Sequence, residues 1–131
     1  MENNVKSEFE LYPGMCSWLE TYLKDKYKNC EIVVEDCHSV YLDSVLDKYE
    51  VIQYYPQVVG LKIEIDVLGI VKWQDKAKIY FIEAKKTALN LQNLGQLLIY
   101  CKLCNPEEAY LLSSGGLGSL KKVLNNLSRE D

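Results

Sequence analysis

The segment from Ile63 to Lys86 reads IEIDVLGIVKWQDKAKIYFIEAKK, a pattern typical of two apolar β-strands joined by a polar turn. Its many Ile and Val residues favour a sheet interior. Asp66, Glu83 and Lys85 nevertheless interrupt the apolar runs, and charged side chains are rarely buried without a partner. The segment therefore predicts a strand pair that carries a polar site within an apolar sheet.

The residues before this strand pair predict one long helix and a further strand. Apolar residues between Leu11 and Tyr27 recur at helical spacing, and Pro13 suits a first helical turn. Residues 30–36 predict a strand. Residues 39–50 fit either a short helix or a pair of strands, and residues 51–60 predict an extended stretch interrupted by its proline.

The second half of the chain predicts alternating strands and helices. The strand pair covers residues 61–73 and 78–84, and an amphipathic helix follows over residues 88–104. Residues 109–114 predict another strand, and a glycine turn leads into a closing helix within residues 115–127. The order of helix, three strands, helix, strand and helix predicts an α/β fold with a mixed central sheet flanked by helices.

Length and composition are those of a single globular domain. The chain has 131 residues, of which 48% are hydrophobic and 26% charged. It contains no apolar run long enough for a membrane span, and the start MENNVKSEFE is too polar for a signal peptide. An odd number of cysteines, five, without a secretory signal predicts reduced thiols and a cytoplasmic location.

The charge balance limits how the chain could bind nucleic acid. The net charge is −4, with 19 acidic against 15 basic residues. Non-specific binding to nucleic acid depends mainly on neutralising phosphates, so this chain is not expected to bind by overall charge. A nucleic-acid enzyme remains possible if its basic surface is local or if a metal or partner supplies positive charge.

Strand alternation brings the three polar residues of the strand pair together. Glu83 and Lys85 are two residues apart, so they share a face at a spacing of roughly 7 Å. A turn near Gln74–Asp75 would place Asp66 close to opposite Glu83. Two converging carboxylates repel each other, and a hard cation such as Mg²⁺ relieves that repulsion. The neighbouring lysine could position water or neutralise charge during attack on a phosphodiester.

Asp66 followed by Glu83-Ala84-Lys85, with a hairpin between them, resembles the motif of the PD-(D/E)XK nuclease superfamily. The predicted element order also matches that family's core of helix, three-stranded meander, helix and strand. The resemblance implies a restriction-endonuclease-like fold in which Asp66, Glu83 and the carbonyl of Ala84 hold Mg²⁺ or Mn²⁺. It also implies that Lys85 assists the attacking water. Ile65 stands where the family name has a proline, a departure that many members share.

Gln96-Leu97-Leu98-Ile99-Tyr100 resembles the Gln-Leu-x-x-Tyr segment of the RecB-like branch of that family. Residues four apart share a helix face. The resemblance implies that Gln96 lies at the rim of the active site and that Tyr100 lies near the nucleic acid, although core packing is an alternative for Tyr100. Lys86 is a further candidate for contact with nucleic acid.

Many family members carry a metal-directed glutamate on the first helix, and Glu8, Glu10 and Glu20 compete for that position. Counted at about 100° per residue, Glu8 projects toward the apolar face if the helix extends back to it, so Glu8 is the preferred candidate. His38, the only histidine, falls in a predicted loop and is assigned no role. The cysteine spacing does not favour a structural zinc site.

The resemblance implies a metal-dependent nuclease that hydrolyses phosphodiester bonds in DNA, with RNA not excluded and endonuclease action favoured. The short chain leaves little room for a separate recognition domain, so a homodimer or a partner subunit is expected. The alternative is a catalytically inactive protein of the same fold that binds nucleic acid or protein. The acidic charge balance favours this alternative slightly, and the complete Asp, Glu and Lys set argues against it.

Overall fold

The computed structural model describes residues 11–85, 91–112 and 121–125. Its helices and strands are, in chain order, α1 (Tyr12–Lys26), β1 (Glu31–Asp36), α2 (Leu42–Lys48), β2 (Val67–Lys72), β3 (Ala77–Ala84), α3 (Leu91–Cys104), β4 (Glu108–Leu112) and β5 (Lys121–Asn125). The expected core order of helix, three strands, helix and strand is present, with α2 inserted between the first two strands and β5 added after the last. No helix in the described part of the chain is long and apolar enough to cross a membrane.

The strands form one mixed sheet of five strands in the order β1-β2-β3-β4-β5. The β1–β2, β2–β3 and β4–β5 pairs are antiparallel, and the β3–β4 pair is parallel. A parallel connection needs a crossover longer than a hairpin, and the chain between β3 and β4 contains α3. The sheet is thus a three-stranded meander extended through a helical crossover.

Helices cover both faces of the sheet. On one face, Met15, Leu19 and Leu23 of α1 are fully buried in a cluster that includes Val67 and Tyr80. On the other face, alternate strand residues such as Leu68, Ile70, Ile79 and Phe81 join a second cluster with residues of α2 and α3. The alternation of side chains along each strand produces both cores from the same apolar runs. The result is a three-layer α/β architecture.

Gly69 allows α1 to approach the sheet closely. A Cβ atom at Gly69 would lie 2.8 Å from Leu19 Cδ2 and 2.9 Å from Leu23 Cδ1. Real Cβ atoms do not tolerate such distances, so the two leucines would have to move. The absence of a side chain at Gly69, in the middle of β2, therefore leaves room for α1 to pack closely on this strand.

Two segments differ from their predicted structure. Residues 51–60 are not extended, because two short 3₁₀ turns, Ile52–Tyr54 and Pro56–Val58, fold back over the sheet. The burial of Tyr55 and Val58 holds them there, and the Tyr55 hydroxyl donates a hydrogen bond of 3.1 Å to the Ala77 carbonyl. The ambiguous residues 39–50 contain the helix α2.

The predicted closing helix is wrong over residues 121–125, which form β5. This strand pairs antiparallel with β4 and supplies hydrogen-bond partners to its outer edge. A sheet edge can override a local helical pattern in this way because strand formation depends on long-range pairing. Residues 113–120 and 126–127 of the same segment lie outside the described residues.

Candidate functional site

Asp66 lies directly before β2, at the same end of the sheet as the last residue of β1. At this end, β3 continues for two residues beyond its last residue paired with β2. The β2–β3 register pairs Val67 with Ile82, so one further step places Asp66 across from Glu83. This agrees with the predicted turn position. The predicted strand over residues 61–73 is shorter than expected, since β2 begins at Val67 and Asp66 itself is outside the ladder.

Three hydrogen bonds hold Asp66 in place. Tyr12 of α1 donates its hydroxyl to Oδ1 at 3.1 Å, and the backbone N–H of Ala84 donates to Oδ2 at 2.8 Å. The backbone N–H of Cys37 donates to the Asp66 carbonyl at 2.9 Å. Both carboxylate oxygens are therefore oriented by groups from different elements. Each oxygen keeps a further lone pair with which it could accept another ligand.

The carboxyl group of Glu83 is electrostatically coupled to Asp66. Burial raises the pKa of Glu83 well above its usual range, and a side-chain hydrogen bond to Asp66 and the negative charge of Asp66 raise it further. The positive charge of Lys85 acts in the opposite direction. Two carboxylates held this close need a proton or a cation between them. A divalent metal ion could take the place of that proton and reduce the repulsion between the two carboxylates.

These residues open into one polar cavity of about 340 Å³ at the end of β3. The cavity is lined by His38, Lys62, Glu64, Asp66, Glu83, Lys85, Gln96 and Tyr100. Lys85 follows directly after β3, and its backbone N–H donates to the Leu112 carbonyl at 2.8 Å. The three residues predicted to carry the chemistry, Asp66, Glu83 and Lys85, are thus brought together in a single pocket.

Gln96 and Tyr100 form the helical wall of this cavity. They lie four residues apart on α3, and the Gln96 side-chain amide donates to the Tyr100 hydroxyl at 3.2 Å. Both side chains line the pocket that contains the two carboxylates. The predicted position of Gln96 at the rim is therefore observed. Tyr100 both lines the cavity and packs, partly buried, against the hydrophobic core, so core packing is part of its role.

The remaining candidate residues from the sequence either lie outside the described residues or lie away from the cavity. Glu8, Glu10 and Lys86 lie outside the described residues. Glu20 is exposed on α1, where it forms a salt bridge of 2.9 Å with Lys24. All five cysteines are free thiols. Burial raises the pKa of Cys37, Cys101 and Cys104 to about 12 in each case, which makes these three thiols poor nucleophiles.

The donor atoms of the site suit a hard cation. No group of three or more His, Cys, Asp or Glu side chains suited to a metal ion occurs among the described residues. Asp66 and Glu83 supply two carboxylates, and the buried Ala84 lies between Glu83 and Lys85. Mg²⁺ commonly binds to one or two carboxylates and completes its coordination with water and phosphate oxygens. The two carboxylates are compatible with that requirement, whereas Ala84 is not among the residues that line the cavity.

Sequence reasoning missed three residues of the cavity: His38, Lys62 and Glu64. The signal for two of them was present, since Lys62, Glu64 and Asp66 alternate with Ile63 and Ile65, which are 3% and 0% exposed. This alternation places all three polar residues on one side of an extended segment. No sequence pattern indicated His38.

Comparisons with known proteins identify no relative of the chain: no protein-family model, no curated protein and no solved structure matches it. The resemblance to the PD-(D/E)XK nucleases therefore depends on the residues and element order of this chain. The geometry of the cavity is the basis for any functional conclusion.

Asp66→Asn is expected to lower the pKa of Glu83, since it removes the negative charge that disfavours Glu83 ionisation. The pKa should stay above the usual range for glutamate, because burial is its largest cause. Lys85→Ala should change the Glu83 pKa in the opposite direction, since it removes a positive charge. Carbon-detected NMR titration of the metal-free protein measures both shifts. An unchanged Glu83 pKa in Asp66→Asn would contradict the contact between the two carboxyl groups.

Proposed function

We propose that this protein is a metal-dependent nuclease with a restriction-endonuclease-like fold, similar to the RecB-like branch, and that it hydrolyses phosphodiester bonds in DNA. The observation that carries the proposal is the convergence of Asp66, Glu83 and Lys85 in one cavity at the end of β3. The helix, meander, helix and strand order and the position of Gln96 and Tyr100 support it.

Asp66 and Glu83, with the carbonyl of Ala84, would hold the metal ion, and Glu8 is a further candidate ligand. Bound Mg²⁺ or Mn²⁺ would polarise a phosphodiester oxygen and lower the pKa of a water molecule. The hydrogen bonds from Tyr12 and Ala84 fix the direction of the Asp66 carboxylate. This pre-organisation matters because a ligand set that is already oriented loses less entropy on binding.

Lys85 would act on the reacting groups. The attacking water would give a proton to solvent as its oxygen forms a bond to phosphorus. The bond from phosphorus to the leaving oxygen would break, and the leaving oxygen would take a proton from solvent. Negative charge increases on the phosphoryl oxygens as this proceeds. The Lys85 ammonium lies in the same cavity as the carboxylates, where it could orient the water and stabilise that charge.

Gln96 and Tyr100 would contact the nucleic-acid strand at the rim. Their linked side chains present an amide and an aromatic ring on one wall of the cavity. An aromatic ring can stack against a base without regard to sequence. We further propose endonuclease action by a homodimer or a complex with a partner subunit, because one short domain carries a single site of this kind.

A cleavage assay tests this proposal directly. Purified protein with Mg²⁺ is incubated with closed circular duplex DNA, linear duplex DNA, branched DNA, single-stranded DNA and single-stranded RNA. Cleavage of the closed circle is the expected result, since a circle offers no end to an exonuclease. If only linear DNA is cleaved, the protein is an exonuclease and not an endonuclease. If no substrate is cleaved, the result supports the catalytically inactive alternative.

A further inference from the structure

Lys62 enters the cavity from the extended segment before β2. Ile63 and Ile65 point into the core and are buried, whereas Lys62, Glu64 and Asp66 line the cavity. In an extended chain four residues span about 13 Å. The backbone of Lys62 therefore lies well away from that of Asp66, while both residues line the same cavity.

Lys62 forms no ion pair with the described acidic residues that line the cavity around it. Asp66, Glu83 and Glu64 all line the same cavity, yet Lys62 forms no salt bridge with any residue in the described ranges 11–85, 91–112 and 121–125. Lys62 is exposed, as are Lys24 and Lys48, but those two lysines pair with Glu20 and Glu35. An ammonium group of this kind in a polar cavity suits an anionic ligand.

His38 lies in the same cavity and is held in a defined orientation. Its Nδ1 atom contacts Asp36 Oδ1 at 2.6 Å, and its ring packs against the Tyr12 ring with centroids 4.8 Å apart. Tyr12 in turn donates to Asp66. When protonated, an imidazole has a donor on each ring nitrogen.

We propose that Lys62 and His38 form a phosphate-binding wall that holds the backbone of the substrate strand beside the bond that is cut. This inference rests on the proposed nuclease function and adds the residues that bind substrate outside the metal site. A nucleic-acid strand carries one negative charge per nucleotide. Lys62 and His38 come from different segments of the cavity lining, an arrangement that suits an extended strand better than a compact dianion.

Lys85 and Lys62 would have different roles because they occupy different positions in the cavity. Lys85 lines the cavity with Glu83 and Asp66, and its charge acts on the Glu83 carboxyl, so in the proposed mechanism it acts where bonds change. Lys62 and His38 lie on the segments that lead into β2 and out of β1, so they would contact a flanking phosphate. Loss of Lys62 should weaken binding of the strand and leave the chemical step nearly unchanged. Loss of His38 should also weaken binding of the strand.

The test measures binding separately from cleavage. A fluorescently labelled DNA oligonucleotide is titrated in EDTA with the wild-type protein, Lys62→Ala, His38→Ala and the control Lys24→Ala, at several salt concentrations. Each wall variant is expected to bind about tenfold more weakly, since it loses one charge-assisted hydrogen bond. The slope of log affinity against log salt should fall by about 0.7 to 0.9 in magnitude for Lys62→Ala. Lys24→Ala should bind as the wild type does.

Kinetics with Mg²⁺ complete the test. A raised KM in Lys62→Ala with kcat within about twofold of the wild type supports the wall. Wild-type affinity and salt slope in Lys62→Ala, or no binding of the oligonucleotide by the wild-type protein, would overturn it. If the wild-type protein binds through Lys62 but cuts no substrate, the wall stands and the proposed nuclease activity fails. Circular dichroism confirms that each variant is folded.

Discussion

Cleavage is expected with Mg²⁺ or Mn²⁺, to stop in EDTA, and to be poorly supported by Ca²⁺. Burial, a side-chain hydrogen bond to Asp66 and the charge of Asp66 raise the pKa of Glu83, and in the proposed mechanism a bound cation would take the place of the proton between the two carboxyl groups. A suitable cation must also activate water. Ca²⁺ is larger and less strict in its geometry than Mg²⁺, so it should bind without comparable activation. A metal that supplies several kcal/mol of stabilisation changes the rate by on the order of 10³-fold.

The measurement compares initial rates on closed circular DNA after the protein has been stripped of metal. Calorimetry with Mg²⁺ and Ca²⁺ separates binding from catalysis. Asp66→Ala serves as the matched variant, since it should weaken binding of both ions. A rate in EDTA equal to the rate in Mg²⁺ would exclude metal-assisted hydrolysis at Asp66 and Glu83.

The pairing of Asp66 with Glu83 could be predicted because it depends on local information. A polar turn between two apolar runs sets the register of a hairpin. Once the turn is centred near Gln74–Asp75, the residue across from Glu83 is determined. Strand alternation then places Glu83 and Lys85 on one side. The structure agrees with this part of the prediction, although the ladder ends one residue short of Asp66.

The surroundings of Asp66 could not be predicted because they depend on contacts between distant residues. Tyr12 and Asp66 are 54 positions apart in the chain, and their hydrogen bond requires α1 to lie on the sheet. The close approach of α1 at Gly69 makes this possible. His38 reaches the cavity only because β1 pairs with β2 and the following turn leads back across the site. No periodicity encodes such an arrangement.

The strand β5 shows the limit of reading periodicity alone. Its residues fit a helical pattern, but the outer edge of β4 offers unpaired backbone groups over the same length. A strand at this position forms hydrogen bonds with those backbone groups of β4. A helix on the surface would leave the same groups of the sheet without these partners. The prediction of a closing helix therefore failed for a reason that the local sequence does not contain.

Lys85→Ala is expected to reduce the cleavage rate by about 10²–10³-fold while metal binding stays close to that of the wild type. One positioned electrostatic group is typically worth that factor when it stabilises charge that develops in the transition state. A protonated lysine has no lone pair with which to bind a metal. Its substitution should therefore affect kcat, with only a small change in metal affinity from the raised pKa of Glu83.

Lys24→Ala is the control, since it removes the same charge from an exposed position on α1 whose salt bridge with Glu20 contributes little stability. Single-turnover cleavage at saturating Mg²⁺ measures the chemical step, and calorimetry measures the metal. Asp66→Ala should show the opposite pattern, with weak metal binding as its primary defect. The role assigned to Lys85 requires that these two variants differ. If Lys85→Ala cuts DNA as fast as Lys24→Ala, the ammonium group in the cavity does not act on the reaction, and the functional interpretation of the Asp66, Glu83 and Lys85 set is wrong.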